Sequence, residues 1–290
     1  MADTFHAIVR EGKIVEEYGG AKIVPWCSFT KTVIAATALT LVRDGALDLD
    51  AEIEDEAYTL RQLLQHRAGL CDYGELGDYQ AAVARGVTPW PVEEMLQRAG
   101  AERLRYKPDH GWRYSNIGYL FAGRIIERAC GAFLGSILTR RVFEPLGLNT
   151  IRLAVTPSDL VGVEMGQAKE YDPAWVYHGL LVGSVEDAAL LLDRLLGGAL
   201  LPRTLITEMI RAHPVEKAVV PDRPWRAPGY GLGVMMEAPD GPVGHTGGGI
   251  GSTIAVYRSR NRPVPQAVAV FASGSSAGEV EHSAFAKLNA

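Results

Sequence analysis

Strand-forming sequence lies at the two ends of this chain, and the long stretch between them reads as helices and loops. Phe5 to Arg10 and Lys13 to Tyr18, parted by Glu11-Gly12, read as a β-hairpin. At the other end, Tyr230 to Glu237, Ser252 to Arg258 and Gln266 to Ala272 read as consecutive antiparallel strands. From Asp44 to about Leu160 there is little strand character. Strands need neighbours to satisfy their backbone and bury a face, so the two ends of the chain have to meet. The expected architecture is a sheet built from both termini with a helical insertion.

The helices carry their own start and stop signals. Ser28 to Arg43 reads as a long apolar helix with a serine at its start and Gly45 just past its end. Thr59-Leu60-Arg61-Gln62 has the form of a capping box and opens a short helix to His66. Pro91 to Ala99 is helical with proline in the first turn, and Asn116 to Cys130 ends at Gly131. Ser184-Val185-Glu186-Asp187 starts an amphipathic helix that stops at Gly197-Gly198, and Gly278 to Leu288 closes the chain.

Bulk properties exclude several function classes. The longest apolar run, Thr32 to Val42, is bounded by Lys31 and Arg43 and is too short to span a bilayer, so no membrane partner is expected. A net charge of -5 without a Lys/Arg cluster gives no support for nucleic acid. Seven histidines show neither His-x-His nor His-Glu-x-x-His spacing, and no dinucleotide or Walker pattern occurs; neither metal nor cofactor is expected. Cys27, Cys71 and Cys130 are scattered and odd in number, and the N-terminus lacks the basic and apolar regions of a secretory signal. A cytoplasmic location is the expectation. Nothing in the sequence points to an oligomeric state.

Three short motifs carry the chemistry. In Ser28-Phe29-Thr30-Lys31, positions i and i+3 of a helix share a face, so the amine can reach the hydroxyl. The helix N-terminus also favours negative charge developing there. A serine hydroxyl needs an adjacent base to act as a nucleophile. The plain alternative is a solvated Lys31 on a helix face. Tyr114-Ser115-Asn116 follows, its alternative being core aromatics, Trp112 and Tyr114, before a helix capped by Asn116. A phenol titrates near ~10 and is a poor base unless a cation such as Lys31 favours the phenolate. Last comes His245-Thr246-Gly247, placed after a predicted strand and followed by Gly248-Gly249. Glycines there let a ligand approach the backbone closely. The alternative is a glycine-rich connection with an incidental histidine.

In this order the three motifs resemble the active site of the serine β-lactamase and penicillin-binding protein superfamily, in the branch of class C β-lactamases, D-peptidases and related esterases. Leu63 to Leu70 resembles the family's Leu-Leu-x-His-Thr-Ser-Gly-Leu, with Arg67 and Ala68 as departures. Leu180 to Asp187 and Tyr230-Gly231-Leu232-Gly233 resemble two further family segments. The resemblance implies an α/β (α+β) fold of β-lactamase type. An antiparallel sheet is flanked by helices drawn from both termini, with an inserted all-helical domain and the active site in the cleft between. The corresponding limits are 1–45 with 165–290 for the sandwich and 46–164 for the helical domain.

The same resemblance implies Ser28 as nucleophile and Lys31 with Tyr114 as its base. Asn116, bonded to Lys31, joins His245, Thr246 and Gly248 in holding substrate. The N–H groups of Ser28 and Gly248 would form an oxyanion hole. The implied substrate is a small ester, amide or β-lactam, hydrolysed through an acyl-enzyme. His245 stands where a lysine is common and is mostly neutral at pH 7, which favours an esterase. Below about 6.5 its ring would charge and attract anionic substrates. The alternatives are a D-amino-acid peptidase or amidase, a β-lactamase or DD-carboxypeptidase, and a non-catalytic binding or scaffold protein of the same fold.

Two decoys compete. Gly274-Ser275-Ser276-Ala277-Gly278 matches a Gly-x-Ser-x-Gly nucleophile elbow, but only six residues separate Ser276 from His282 and no separate acid follows. Cys27 could be a reactive thiol at a helix start. Its helical direction, different from that of Ser28, instead places it as a small buried residue.

Overall fold

The computed structural model describes residues 3–166, 168, 171–215, 222–249 and 251–290. Its elements run in chain order as β1 (Thr4–Arg10), β2 (Lys13–Tyr18), β3 (Ile23–Pro25), α1 (Thr30–Arg43), α2 (Leu60–Leu64), α3 (Gly77–Ala84), α4 (Val92–Ala99), α5 (Asn116–Cys130) and α6 (Leu134–Leu138). They continue as β4 (Arg152–Ala154), β5 (Leu180–Ser184), α7 (Val185–Gly197), α8 (Arg203–Met209), β6 (His213–Pro214), β7 (Pro228–Tyr230), β8 (Met235–Glu237), β9 (Val243–Gly249), β10 (Ser252–Arg258), β11 (Gln266–Ser273) and α9 (Ala277–Asn289).

The two ends of the chain do meet. An eight-stranded antiparallel sheet has the order β2-β1-β11-β10-β9-β8-β7-β6, with Thr4 opposite Ala272 and Arg10 opposite Gln266. Alternation along β11 explains why both faces are covered: Ala267, Ala269 and Phe271 enter the main core, while Val268, Val270 and Ala272 face the other way. Onto that second face α9 lays Val280, Ala284 and Leu288, spaced at four residues. The main core is centred on α1, buried from Thr30 to Leu41. Its threonines are satisfied internally; Thr32, for example, donates to the Gly233 carbonyl at 2.6 Å.

Local differences from the sequence expectation have physical causes. Tyr230 to Glu237 is not one strand but β7 and β8, because the chain leaves the sheet between them. Leu232 N–H bonds the Met209 carbonyl and Gly233 N–H the Leu64 carbonyl. The glycine-rich stretch Val243–Gly249, with poor strand propensity, is β9, so the His-Thr-Gly motif lies within a strand rather than after one. β4, three residues inside the otherwise helical stretch, pairs with β5 in a small sheet of order β3-β5-β4. Ser115, not Asn116, caps α5, its hydroxyl accepting from the Gly118 N–H at 3.0 Å. Ser276 and Glu279 form the capping box of α9, so the apparent nucleophile elbow is a helix start. Among the described residues, no helix is long and apolar enough to cross a membrane.

Candidate active site

The expected helix from Ser28 begins two residues late. Cys27–Phe29 form a single 3-10 turn between β3 and α1, and Cys27 adopts a left-handed φ of 46°. That turn presents the Ser28 hydroxyl sideways instead of spending it as a helix cap. It rests on β9 at Gly247. A Cβ there would collide with the Trp26 carbonyl and lie 2.8 Å from the Ser28 nitrogen, so glycine is required for the close approach. Cys27 points inward, and burial pushes its thiol up to about 12, which leaves it unreactive.

Lys31, the second residue of α1, is fully buried. Its Nζ lies 2.7 Å from Asn116 Oδ1, 2.9 Å from His178 Nε2 and 3.2 Å from Ser28 Oγ. Loss of hydration disfavours the ammonium and pulls Lys31 down to about 7, against the opposing attraction of Asp72. Near pH 7 the amine is therefore free of its extra proton about half the time. Tyr114 donates its hydroxyl to Ser28 Oγ at 2.7 Å. Burial raises Tyr114 above the usual phenol range despite that bond. The expected phenolate is thus not favoured: burial keeps Tyr114 a neutral donor, while the neutral form of Lys31 is made accessible.

Asn116, at the first turn of α5, is held by Asp72, whose carboxylate accepts from its backbone N–H at 3.0 Å and its side-chain Nδ2 at 3.2 Å. His66 steadies Tyr114: its ring packs 4.4 Å from that phenol, and its Nδ1 accepts the Ser115 N–H at 3.0 Å. Gly248 and Ser28 line one cavity of about 460 Å³ together with Asn116, Tyr73, Tyr79, Val83, Tyr171 and Val176. The lining is more apolar than polar and holds no arginine or lysine among the described residues.

Two expectations about the third motif are corrected. His245 is buried, its Nδ1–H donating to the Thr246 carbonyl at 2.8 Å and its Nε2 accepting from Tyr230 at 2.9 Å. Burial, with Lys31 nearby, lowers His245 to about 3, so it does not charge near 6.5 and cannot attract an anionic substrate there. Thr246 follows the strand alternation to the far face. Opposite Ala255, its hydroxyl meets Tyr257 at 2.6 Å and the buried carboxylate of Glu281 on α9. Its hydroxyl is thereby engaged by protein partners and not offered to the cavity beside Ser28, whose lining among the described residues does not include Thr246.

Sequence reasoning missed Asp72, Tyr73 and His178. His178 is buried, with Tyr73 Oη 3.2 Å from its Nδ1. The available signal was position alone: His178 stands two residues before the Leu180–Asp187 segment, and Asp72-Tyr73 two residues after Leu63–Leu70.

A serine hydrogen-bonded to a buried lysine and a tyrosine, beside a glycine strand, is the kind of arrangement that acyl transfer requires. The chain belongs to the Beta-lactamase family, whose model matches residues 5–289. It is 28% identical over 138 residues to a penicillin-binding protein of Bacillus subtilis, an alignment covering 43% of this chain and 29% of that protein. To the lovastatin esterase of Penicillium rubens it is 26% identical over 308 residues, covering 81% of this chain and 76% of the esterase. Its fold is similar to that of the D-amino acid amidase from Ochrobactrum anthropi SV3, with a TM-score of 0.78, 25% identity and coverage of 99% and 92%. The chain thus spans about three tenths of the penicillin-binding protein it matches.

Proposed function

We propose that this protein is a serine hydrolase acting through an acyl-enzyme on small uncharged esters, with amides of small acids second. One observation carries the reading: Ser28 Oγ lies within hydrogen-bond reach of both Lys31 Nζ, drawn down to about 7, and Tyr114 Oη. As Ser28 Oγ bonds the substrate carbonyl carbon, its proton passes to the Lys31 lone pair. The electrons of the C=O bond move onto oxygen, facing the Ser28 and Gly248 N–H groups. Collapse breaks the bond to the leaving group, which takes a proton from the Lys31–Tyr114 pair. Water then repeats the sequence on the acyl-enzyme, returning Ser28 its proton and releasing the acid.

Esters come first because, among the described residues, the cavity lining offers no fixed cation to a substrate carboxylate and His245 remains neutral. The similarity to the lovastatin esterase across most of both chains supports that order. The fold shared with the D-amino acid amidase keeps amides of D-amino acids as the second reading. A scaffold role without catalysis is disfavoured by three reactive side chains held in bonding contact. Three free cysteines, two of them buried, fit a reducing compartment, and we place the protein in the cytoplasm. The division into 1–45 with 165–290 and 46–164 is proposed on the same footing.

The test is mass spectrometry of the protein after a fluorophosphonate and, separately, after penicillin, followed by turnover of p-nitrophenyl esters and D-phenylalanine amide. The expected result is a fluorophosphonate adduct on Ser28 and ester turnover exceeding amide turnover. Ser28→Ala should abolish both label and turnover. A label on Cys27 or Ser276, or turnover surviving in Ser28→Ala, refutes the reading.

A further inference from the structure

We propose that His178 is a positioning residue for the reaction, and that the adjacent pair Asp72-Tyr73 orients both His178 and Asn116 so that the Lys31 lone pair points at Ser28. The inference rests on the hydrolase reading above. It follows from a count of donors and acceptors. A neutral amine has two N–H donors and one lone pair. Lys31 Nζ has three partners in range: Asn116 Oδ1, His178 Nε2 and Ser28 Oγ. If the first two only accept, the lone pair is left for the Ser28 hydroxyl hydrogen.

Each acceptor is supported by a neighbour. An amide can turn either end towards Lys31, and Asp72 decides which, because its carboxylate takes the Nδ2–H of Asn116 and leaves Oδ1 for the amine. An imidazole can carry its hydrogen on either nitrogen, and in the tautomer that leaves Nε2 bare for Lys31 the Tyr73 oxygen stands ready to accept the hydrogen on Nδ1. With Nδ1–H donated to the Tyr73 oxygen, Nε2 is bare and accepts from Lys31. Burial keeps the His178 ring neutral, so it remains an acceptor. Asp72 and Tyr73 are consecutive, and the 3-10 turn Tyr73–Glu75 follows at once, so a single turn orients both acceptors. Once Lys31 has taken the serine proton, its three N–H groups meet Asn116, His178 and the Ser28 oxygen with no rearrangement. This is preorganisation of the kind that lowers a barrier.

Phosphonylation kinetics test this without any knowledge of the natural substrate. With a fluorophosphonate, the Ser28 Oγ–P bond forms as P–F breaks, fluoride leaves, and the serine proton goes to Lys31. Time courses of intact mass at several reagent concentrations separate the maximal labelling rate from the reagent's apparent affinity. His178→Leu, which removes the acceptor while keeping bulk, should lower the maximal rate about 10²-fold, the cost expected for a misdirected reacting group, with apparent affinity within about twofold. His178→Gln, whose amide oxygen can accept in place of Nε2, should recover most of that rate. Tyr73→Phe should fall between the two.

A wild-type maximal rate in His178→Leu overturns the proposal. So does a His178→Gln enzyme as slow as His178→Leu while melting at the wild-type temperature, because a role in packing alone would then account for both. If His178→Leu does not fold, the comparison of His178→Gln with Tyr73→Phe carries the same decision. A wild-type protein that takes no label on Ser28 refutes the hydrolase reading itself, a failure distinct from equal labelling of wild type and variants.

Discussion

Acylation should be gated by the protonation of Lys31, and the pH profile is where this shows. A buried amine drawn from 10.5 to about 7 is roughly one half neutral at pH 7, about one tenth at pH 6 and about one hundredth at pH 5. With an uncharged p-nitrophenyl ester, kcat/KM should therefore fall about fivefold from pH 7 to 6 and about tenfold more from 6 to 5. It should be nearly flat from pH 8 to 9, where the amine is already free. Asp72 raises Lys31 by attraction, so Asp72→Asn should move the acid limb to lower pH. Stopped-flow release of p-nitrophenol in buffers of constant ionic strength measures both limbs. A rate still climbing tenfold per pH unit at pH 9 would mean that Lys31 keeps its ordinary affinity for protons. A profile flat from pH 5 to 8 would mean that Lys31 is not the base.

The same burial should make Lys31 a burden on the fold. Its folded-state affinity for protons is depressed, so the unfolded chain binds more protons between about pH 7 and 10.5, and stability should rise across that window. Lys31→Met should accordingly raise stability at pH 7 by about 2–4 kcal/mol, read by urea denaturation; an unchanged midpoint would contradict the depressed affinity. Because His245 stays neutral down to about 3, the ratio of kcat/KM for an anionic ester to that for its neutral analogue should stay constant from pH 8 to 5. A ratio that grows as pH falls through 6.5 would show that the ring charges. Gly247→Ala should cost more than tenfold in labelling rate at Ser28, since the new methyl displaces the Trp26–Ser28 turn. Wild-type labelling in that variant would remove β9 from its supporting role.

Much of the frame was legible in the chain because hydrophobic period and caps agree there. α1, α5, α7 and α9 have apolar faces bounded by glycine or a capping hydroxyl, and β10 and β11 are rich in residues that fit a buried pleated sheet. β9 was hidden because six of its seven residues are glycine, histidine or threonine in a run that local propensity reads as a loop. The break between β7 and β8 was hidden for another reason: it is imposed by bonds to Leu64 and Met209, far away in sequence. Ser28, Lys31, Tyr114 and Asn116 could be named because each stands in a motif. His178 could not, since its partners Lys31 and Tyr73 lie 147 and 105 residues away and a lone histidine leaves no local pattern. The ionisation of Tyr114 and His245 was misjudged because residue type gives the solution value while burial sets the actual one.

The pairing of β1 with β11 bears on how the protein comes to exist. Residues Thr4–Arg10 leave the ribosome some 260 residues ahead of their partner, Gln266–Ala272. The turn that carries Ser28 likewise waits for Gly247. At about 5–20 residues per second, roughly 10–40 s separate the synthesis of the nucleophile from that of the strand that braces it. During that interval Thr32–Leu41 is an apolar helix without its sheet, a stretch that solubility or a chaperone has to protect. A nascent chain stalled before β9 therefore carries the serine and the lysine but no assembled site, and the reactivity towards acyl donors proposed above should switch on only once β9 to β11 arrive.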